Sequence, residues 1–226
     1  MNALITEILQ AREARAAKQQ ALIQAFGCPV VSFTMTIAGP VKTSPRIRRA
    51  FDAGLAELDK ALSGYPVRSR EVVHGITGDE AILCVDGEAA QIKAICTAIE
   101  EATPMGRLFD MDVLDVRGNK LERGQERCCL VCGMPGRSCA ASRRHSVETL
   151  QAVTKKLIDA HLDDADACQI AEGAVDALLE EVTTTPKPGL VDLRNHGSHR
   201  DMNPQLFAAS AKALYPYFYR CAMIGS

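Results

Sequence analysis

Met105-Gly106-Arg107-Leu108-Phe109-Asp110-Met111-Asp112-Val113-Leu114-Asp115-Val116 completes the pattern that decides the fold. Apolar and polar residues alternate through its middle, the period-2 signature of a half-buried strand. Phe109, Met111 and Val113 then share one face, while Asp110 and Asp112 share the other with Leu108. A turn at Arg117-Gly118-Asn119 ends it. Upstream, Glu88–Glu101 has Ile92, Ile95, Cys96 and Ile99 at helical spacing, and Val67–His74 and Glu80–Val85 flank a Gly75…Gly78 turn as a hairpin. Before them, Ser44-Pro45 opens a helix with Ile47, Phe51, Leu55, Leu58 and Leu62 inward. Pro29–Ala38 (PVVSFTMTIA) is β-branched and alternating, hence a first strand.

The order is β-α-β-β-α-β. It predicts the α+β class: a βαββαβ, ferredoxin-like or nucleotidyltransferase-like sandwich with extra N- and C-terminal helices. The N-terminal helix is amphipathic through Leu4, Ile5, Ile8, Leu9, Leu22, Ile23 and Phe26. At the other end Ser146–His161 is a strong helix, and Asp163-Asp164 opens a further one to about Val182. Gly124–His145 is Cys/Arg/Gly-rich and aperiodic. Thr183–Asn203 is polar and Pro/Gly-rich, and Pro204 to about Tyr215 is helix-like again.

The 226 residues include 26 basic and 28 acidic side chains, 47% hydrophobic residues and only 4% aromatics. That balance excludes a chain-wide basic footprint, so nucleic acid is not an expected partner, and an oligonucleotide polymerase is disfavoured for want of stacking aromatics. No apolar run is long enough for a membrane helix, so no membrane association is expected. Met1–Phe26 lacks the apolar core of a secretory leader, which makes the cytoplasm the expected compartment and reduced thiols the expected state of the nine cysteines.

Three constellations could carry chemistry. Asp110 and Asp112, side by side on a strand taken as central in the sheet, repel each other unless a cation joins them, and hard oxygen ligands suit Mg²⁺ beside substrate phosphates. The plainer reading is an acid pair solvated or bridged to Arg107 or Arg117. Gly39-Pro40-Val41-Lys42-Thr43-Ser44-Pro45-Arg46-Ile47-Arg48-Arg49 is a strand-to-helix turn with no acid nearby in sequence, a phosphate cradle in composition. Arg137, Arg143, Arg144 and His145 form a second basic group, and solvated arginines at helix ends are the alternative for both. Cys129-x₂-Cys132-x₆-Cys139-x₅-His145 offers four tetrahedral-type ligands at spacings a Zn²⁺ knuckle accepts; free thiols are the alternative. Cys28, Cys84, Cys96 and Cys168 sit in apolar patterns, where a thiol packs as a small core residue. Cys128 or Cys129 beside Arg127 could instead be nucleophilic.

Taken together, Val30-Val31-Ser32-Phe33-Thr34, Gly39-Pro40-x-Lys42-x-Ser44 with Arg48-Arg49-x-Phe51-x-x-Gly54, Pro104-x-Gly106-Arg107-Leu108-x-Asp110-x-Asp112-Val113 and the Cys/His series resemble the citrate lyase holo-acyl-carrier-protein synthase family, the apo-citrate lyase phosphoribosyl-dephospho-CoA transferases. The resemblance covers about residues 25–160. It implies transfer of phosphoribosyl-dephospho-CoA from triphosphoribosyl-dephospho-CoA to a serine of the citrate lyase acyl-carrier (gamma) subunit, with release of pyrophosphate. Reaction chemistry then assigns Asp110 and Asp112 to Mg²⁺, and Lys42, Arg48, Arg49, Arg107, Arg143 and Arg144 to phosphates. A non-catalytic zinc-binding interaction module is the alternative.

A second resemblance starts near Asp164. Glu180-Glu181-Val182, Thr185-Pro186-Lys187-Pro188-Gly189-Leu190-Val191-Asp192 and Asn195-x-Gly197-x-His199-x-Asp201-Met202 are similar to the opening of the triphosphoribosyl-dephospho-CoA synthase family. The expected organisation is a transferase domain over 1–162 and a truncated, inactive N-terminal part of a helical synthase over 163–226, with Lys187, His199 and Asp201 as remnants of its site.

Overall fold

A computed structural model describes residues 3–184, and side-chain surroundings for 6–164 and 166. The chain divides into two compact units, Met1–Ala174 and Val175–Ser226; in the second, the described residues are helical to Thr184. The first unit is a mixed α/β fold with four antiparallel strands, β1 Val30–Met35, β2 Val67–Gly75, β3 Gly78–Val85 and β4 Phe109–Leu114, in the order β2-β3-β1-β4. The helices are α1 Ala3–Phe26, α2 Pro45–Ala61, α3 Ala89–Ala102, the short α4 Gly136–Ala141 and α5 Val147–Thr184.

Local chemistry sets the element ends. Ser44 caps α2, its hydroxyl oxygen accepting the Ile47 N–H at 3.2 Å, and Pro45 fills the first turn, where no N–H is needed. The buried face of α2, with Ala50, Phe51, Gly54, Leu55 and Leu58, packs on the sheet. Gly54 has no substitute there: a Cβ would lie 2.6–2.9 Å from the Phe109 ring. Phe33 stacks on Phe51 with centroids 4.7 Å apart and meets Phe109 edge-on at 5.3 Å, the aromatic centre of the main core.

Three sequence expectations are corrected. Residues 105–116 are not one strand. Met105–Leu108 form a single 3₁₀ turn, so Leu108 leaves the Asp110/Asp112 face and lies fully buried in the main core. Gly106 makes that turn possible, since a Cβ there would meet the Ile99 and Glu100 carbonyl oxygens at 2.7 and 2.9 Å. β4 is an edge strand, not a central one. Its outer edge is closed by α3: the Glu100 carboxylate accepts the Met111 N–H at 2.7 Å, and Lys93 Nζ donates to the Met111 carbonyl at 2.9 Å. An edge strand masked in this way presents no free backbone row to another chain. Finally, Asp163-Asp164 does not start a new helix, because α5 is continuous through it. The helix-like run from Pro204, and Lys187, His199 and Asp201, lie outside the described residues.

Candidate functional site

The sheet has two unlike faces. Val31, Phe33, Ala81, Leu83, Met111 and Val113 pack under α2 and α3 in the main core. The other face carries Ser32, Thr34, Glu80, Asp110 and Asp112, with Val30, Ile82, Cys84 and Leu114 forming a smaller core under Leu22 and Ile23 of α1. Register sets the polar residues in rows across the strands. Asp110, Thr34 and Glu80 are cross-strand neighbours, and Asp112, Ser32, Ile82 and Glu71 form the next row. The basic middle of α1 answers these acids: Arg15 pairs with Glu80 at 2.7 Å and Lys18 pairs with Glu71.

At the end of the sheet, where β1 leaves and β3 and β4 enter, a cavity of about 280 Å³ opens. Asp110, Thr34 and Glu80 line its sheet side, Arg12 and Arg15 come from α1, and Lys42 from the turn after β1 and Asp79 from the start of β3 close it. Asp110 is half-buried. Burial first, and the Asp112 carboxylate second, push its carboxyl above the usual range, with Arg127 and Lys120 opposing. Asp112 already draws one cation, Lys120 Nζ at 2.6 Å. Lys42 Nζ donates to the Ile37 carbonyl at 2.6 Å, and burial, then Arg12, lower its pKa below that of a free lysine.

Arg46, Arg48 and Arg49 are held by acids distant in the chain. Arg48 reaches the buried Asp79 at 3.2 Å, so it touches the cavity wall at one remove, and Asp79 also meets His74 Nδ1 at 3.0 Å. Arg46 bridges Asp159 and Asp163 of α5, and Arg49 pairs with Asp166 at 2.5 Å. The turn Gly39–Arg49 therefore does not gather its cations into one cradle. Arg107 donates to the Cys128 carbonyl at 2.5 Å beside a separate shallow groove with Leu130 and Leu157. Arg143, with φ +47°, and Arg144 are exposed beyond α4.

Cys129, Cys132, Cys139 and His145 converge, their ligand atoms all within 4.8 Å of one another, a group able to hold a metal ion. Burial and the two neighbouring thiols push Cys139 up to about 11, while the His145 imidazole, above all, draws Cys132 down to about 6. Cys28, Cys84 and Cys96 are buried in the cores as the apolar patterning implies.

Sequence reasoning missed Arg12, Arg15, Asp79 and Glu80. A signal for the first two is in the sequence: Arg12, Arg15 and Lys18 recur every third residue on one side of α1.

An acid-bearing antiparallel sheet with a lysine- and arginine-walled cavity at its end makes this a mixed α/β protein with a charged cavity. Residues 3–161 match the apo-citrate lyase phosphoribosyl-dephospho-CoA transferase family, and the chain belongs to it. Residues 167–226 match a second family, ATP:dephospho-CoA triphosphoribosyl transferase. Protein CitXG of Haemophilus influenzae is 34% identical over 224 residues, 96% of this chain and 48% of that protein. Protein CitXG of Leuconostoc mesenteroides subsp. cremoris is 29% identical over 98% of this chain and 50% of its own length. The apo-citrate lyase phosphoribosyl-dephospho-CoA transferase of an Escherichia coli strain is 32% identical over 172 residues, 74% of this chain and 92% of that protein. The chain thus spans about half the length of the CitXG relatives. Among the described residues no helix is long and apolar enough to cross a membrane.

Proposed function

We propose that residues 1–162 transfer phosphoribosyl-dephospho-CoA from triphosphoribosyl-dephospho-CoA to a serine of the apo acyl-carrier (gamma) subunit of citrate lyase, in the cytoplasm, releasing pyrophosphate. Family membership supplies the reaction. The observation that carries the assignment of a site is the cavity in which Asp110 and Lys42 share walls with Arg12 and Arg15.

The reaction forms a bond from the serine oxygen to the phosphorus next to the ribose and breaks the bond from that phosphorus to pyrophosphate. Negative charge grows on the leaving group, and the serine proton must be taken up. Lys42, Arg12 and Arg15 neutralise the phosphate charge in a part-buried setting, where such contacts are strongest. Asp110 accepts the serine proton. Two carboxylates this close, one half-buried, fit a hard cation: Asp110 and Asp112 would hold Mg²⁺, which when bound supplies further neutralisation of pyrophosphate. The Cys/His group would hold Zn²⁺, with no part in this chemistry. Arg48, Arg49, Arg107, Arg143 and Arg144 are left to outer parts of the donor or to the carrier.

The same reading takes the sheet as a ferredoxin-like, nucleotidyltransferase-like sandwich, supported by the β-α-β-β-α-β order and the β2-β3-β1-β4 arrangement. Residues 163–226 are assigned to a helical portion of the second enzyme family, supported by the match over 167–226. The test is to incubate the chain with apo carrier, the triphosphate donor and Mg²⁺ and weigh the carrier by mass spectrometry. A carrier heavier by one phosphoribosyl-dephospho-CoA group is expected; an unchanged mass overturns the proposal and favours the zinc-binding interaction module.

A further inference from the structure

Between Asp115 and Val153 the chain has almost no core of its own: Cys139 is the one buried residue in that span. Conformational entropy works against ordering such a segment, and small segments of this kind are held by a staple rather than by packing. The segment nevertheless follows a defined path. Cys129 N–H donates to the Met134 carbonyl at 2.6 Å, Gly133 N–H returns to the Cys129 carbonyl at 3.0 Å with Gly133 at φ +70°, and Val131 N–H points at Cys129 Sγ at 3.4 Å. α4 then brings Cys139 back over this turn.

The sulfur spacings define what the staple is. Cys139 Sγ lies 3.4 Å from Cys129 Sγ and 4.0 Å from Cys132 Sγ. A disulfide needs about 2.05 Å, whereas thiolates about 2.3 Å from a tetrahedral zinc sit about 3.8 Å apart. His145 Nε2 is buried with no hydrogen-bond partner. We propose that Cys129, Cys132, Cys139 and His145 bind one structural zinc ion, and that this ion holds the segment bracing the outer edge of β4. Soft thiolates with an imidazole select zinc over Mg²⁺, and four protein ligands leave no open position for catalysis. With the three thiols ionised and the imidazole neutral, the zinc-bound centre carries net charge −1, in a segment that also carries Arg127, Arg137, Arg143 and Arg144.

The bracing runs through contacts made just before the first ligand, Cys129. The Cys128 carbonyl accepts Arg107, one turn before β4. Arg127 pairs with the buried Glu100 carboxylate, which also takes Arg123 at 2.6 Å and the Met111 N–H at 2.7 Å. The zinc segment is thereby tied to the strand that carries Asp110 and Asp112. This inference stands independently of the transferase reading.

The test is elemental analysis of the full chain purified under reductant without chelator. About one zinc per chain is expected, falling away in Cys139→Ser and in His145→Ala. Cobalt exchanged into the wild-type protein should show a thiolate-to-metal band and tetrahedral d–d absorption, which keeps the proposal testable where a variant fails to fold. Hydrogen exchange supplies the second readout: chelation should speed exchange at the Met111 amide and across residues 124–145, and leave Val31 and Leu83 protected. Less than about one-tenth of an equivalent of zinc, or a mass lowered by two hydrogens from a disulfide, overturns the site. Zinc retained by both variants overturns these ligands, and unchanged exchange at Met111 overturns the bracing.

Discussion

Strand β1 turns Val31, Phe33 and Met35 toward α2 and α3 and turns Val30, Ser32 and Thr34 toward α1. On the first side the core is apolar, and its contacts are aromatic stacking and close packing. On the second, apolar packing is confined to the end under Leu22 and Ile23, and beyond it acids in register meet arginines and a lysine around a cavity. A single backbone, alternating with period 2, thus separates the work of holding the fold from the work of holding a charged ligand. Substitutions on the first face should unfold the protein; those on the second should spare the fold and disable it.

Neighbouring residues of β1 offer the sharpest way to break that contrast. Phe33→Ala removes a fully buried ring and should lower unfolding free energy by about 3–5 kcal/mol in urea titration. Thr34→Ala, one residue on, should change stability by less than about 1 kcal/mol. Comparable losses from both would mean that the faces are not separated. The basic wall comes next. Lys42→Ala and Arg15→Ala should each weaken donor binding by about tenfold or more, measured by calorimetry, with far-ultraviolet circular dichroism unchanged. Full affinity in both would move the donor out of the cavity.

A smaller effect belongs to the buried thiols. Burial raises Cys84 to about 11 and Cys96 to about 12. Between the ordinary thiol range and those values the unfolded chain loses protons that the folded chain keeps, so stability must fall as pH rises above about 9. Replacing Cys96 by Ala should flatten that alkaline decline even where it lowers stability at neutral pH. A decline just as steep in the variant would assign it to other groups.

Much of this was legible in residues close together in the chain. Ser44-Pro45 announced α2, the Gly75…Gly78 turn announced the hairpin, period 2 put Asp110 and Asp112 on one face, and the Cys/His spacing anticipated a cluster. What escaped was set at long range. Arg15 meets an acid 65 residues away, and Arg46 and Arg49 meet acids 117 residues away, so a stretch that looks acid-free in sequence is neutralised in space. α5 passes through Asp163-Asp164 unbroken because neither Gly nor Pro stops it, and Asp159 and Asp163, one turn apart, both face Arg46. Leu108 left its expected face because Gly106 allows a tight turn that no alternation pattern encodes.

The most direct test of the account is carrier modification by Asp110→Asn, followed by mass spectrometry with donor and Mg²⁺ present, beside a thermal melt of the same protein. Asp110 is an acid that burial and Asp112 disfavour when ionised, so removing its charge should leave the melting temperature equal or higher. The transfer rate should fall by about 10²–10³-fold. An Asp110→Asn protein that modifies the carrier at the wild-type rate would contradict the assignment of the chemistry to this face of the sheet.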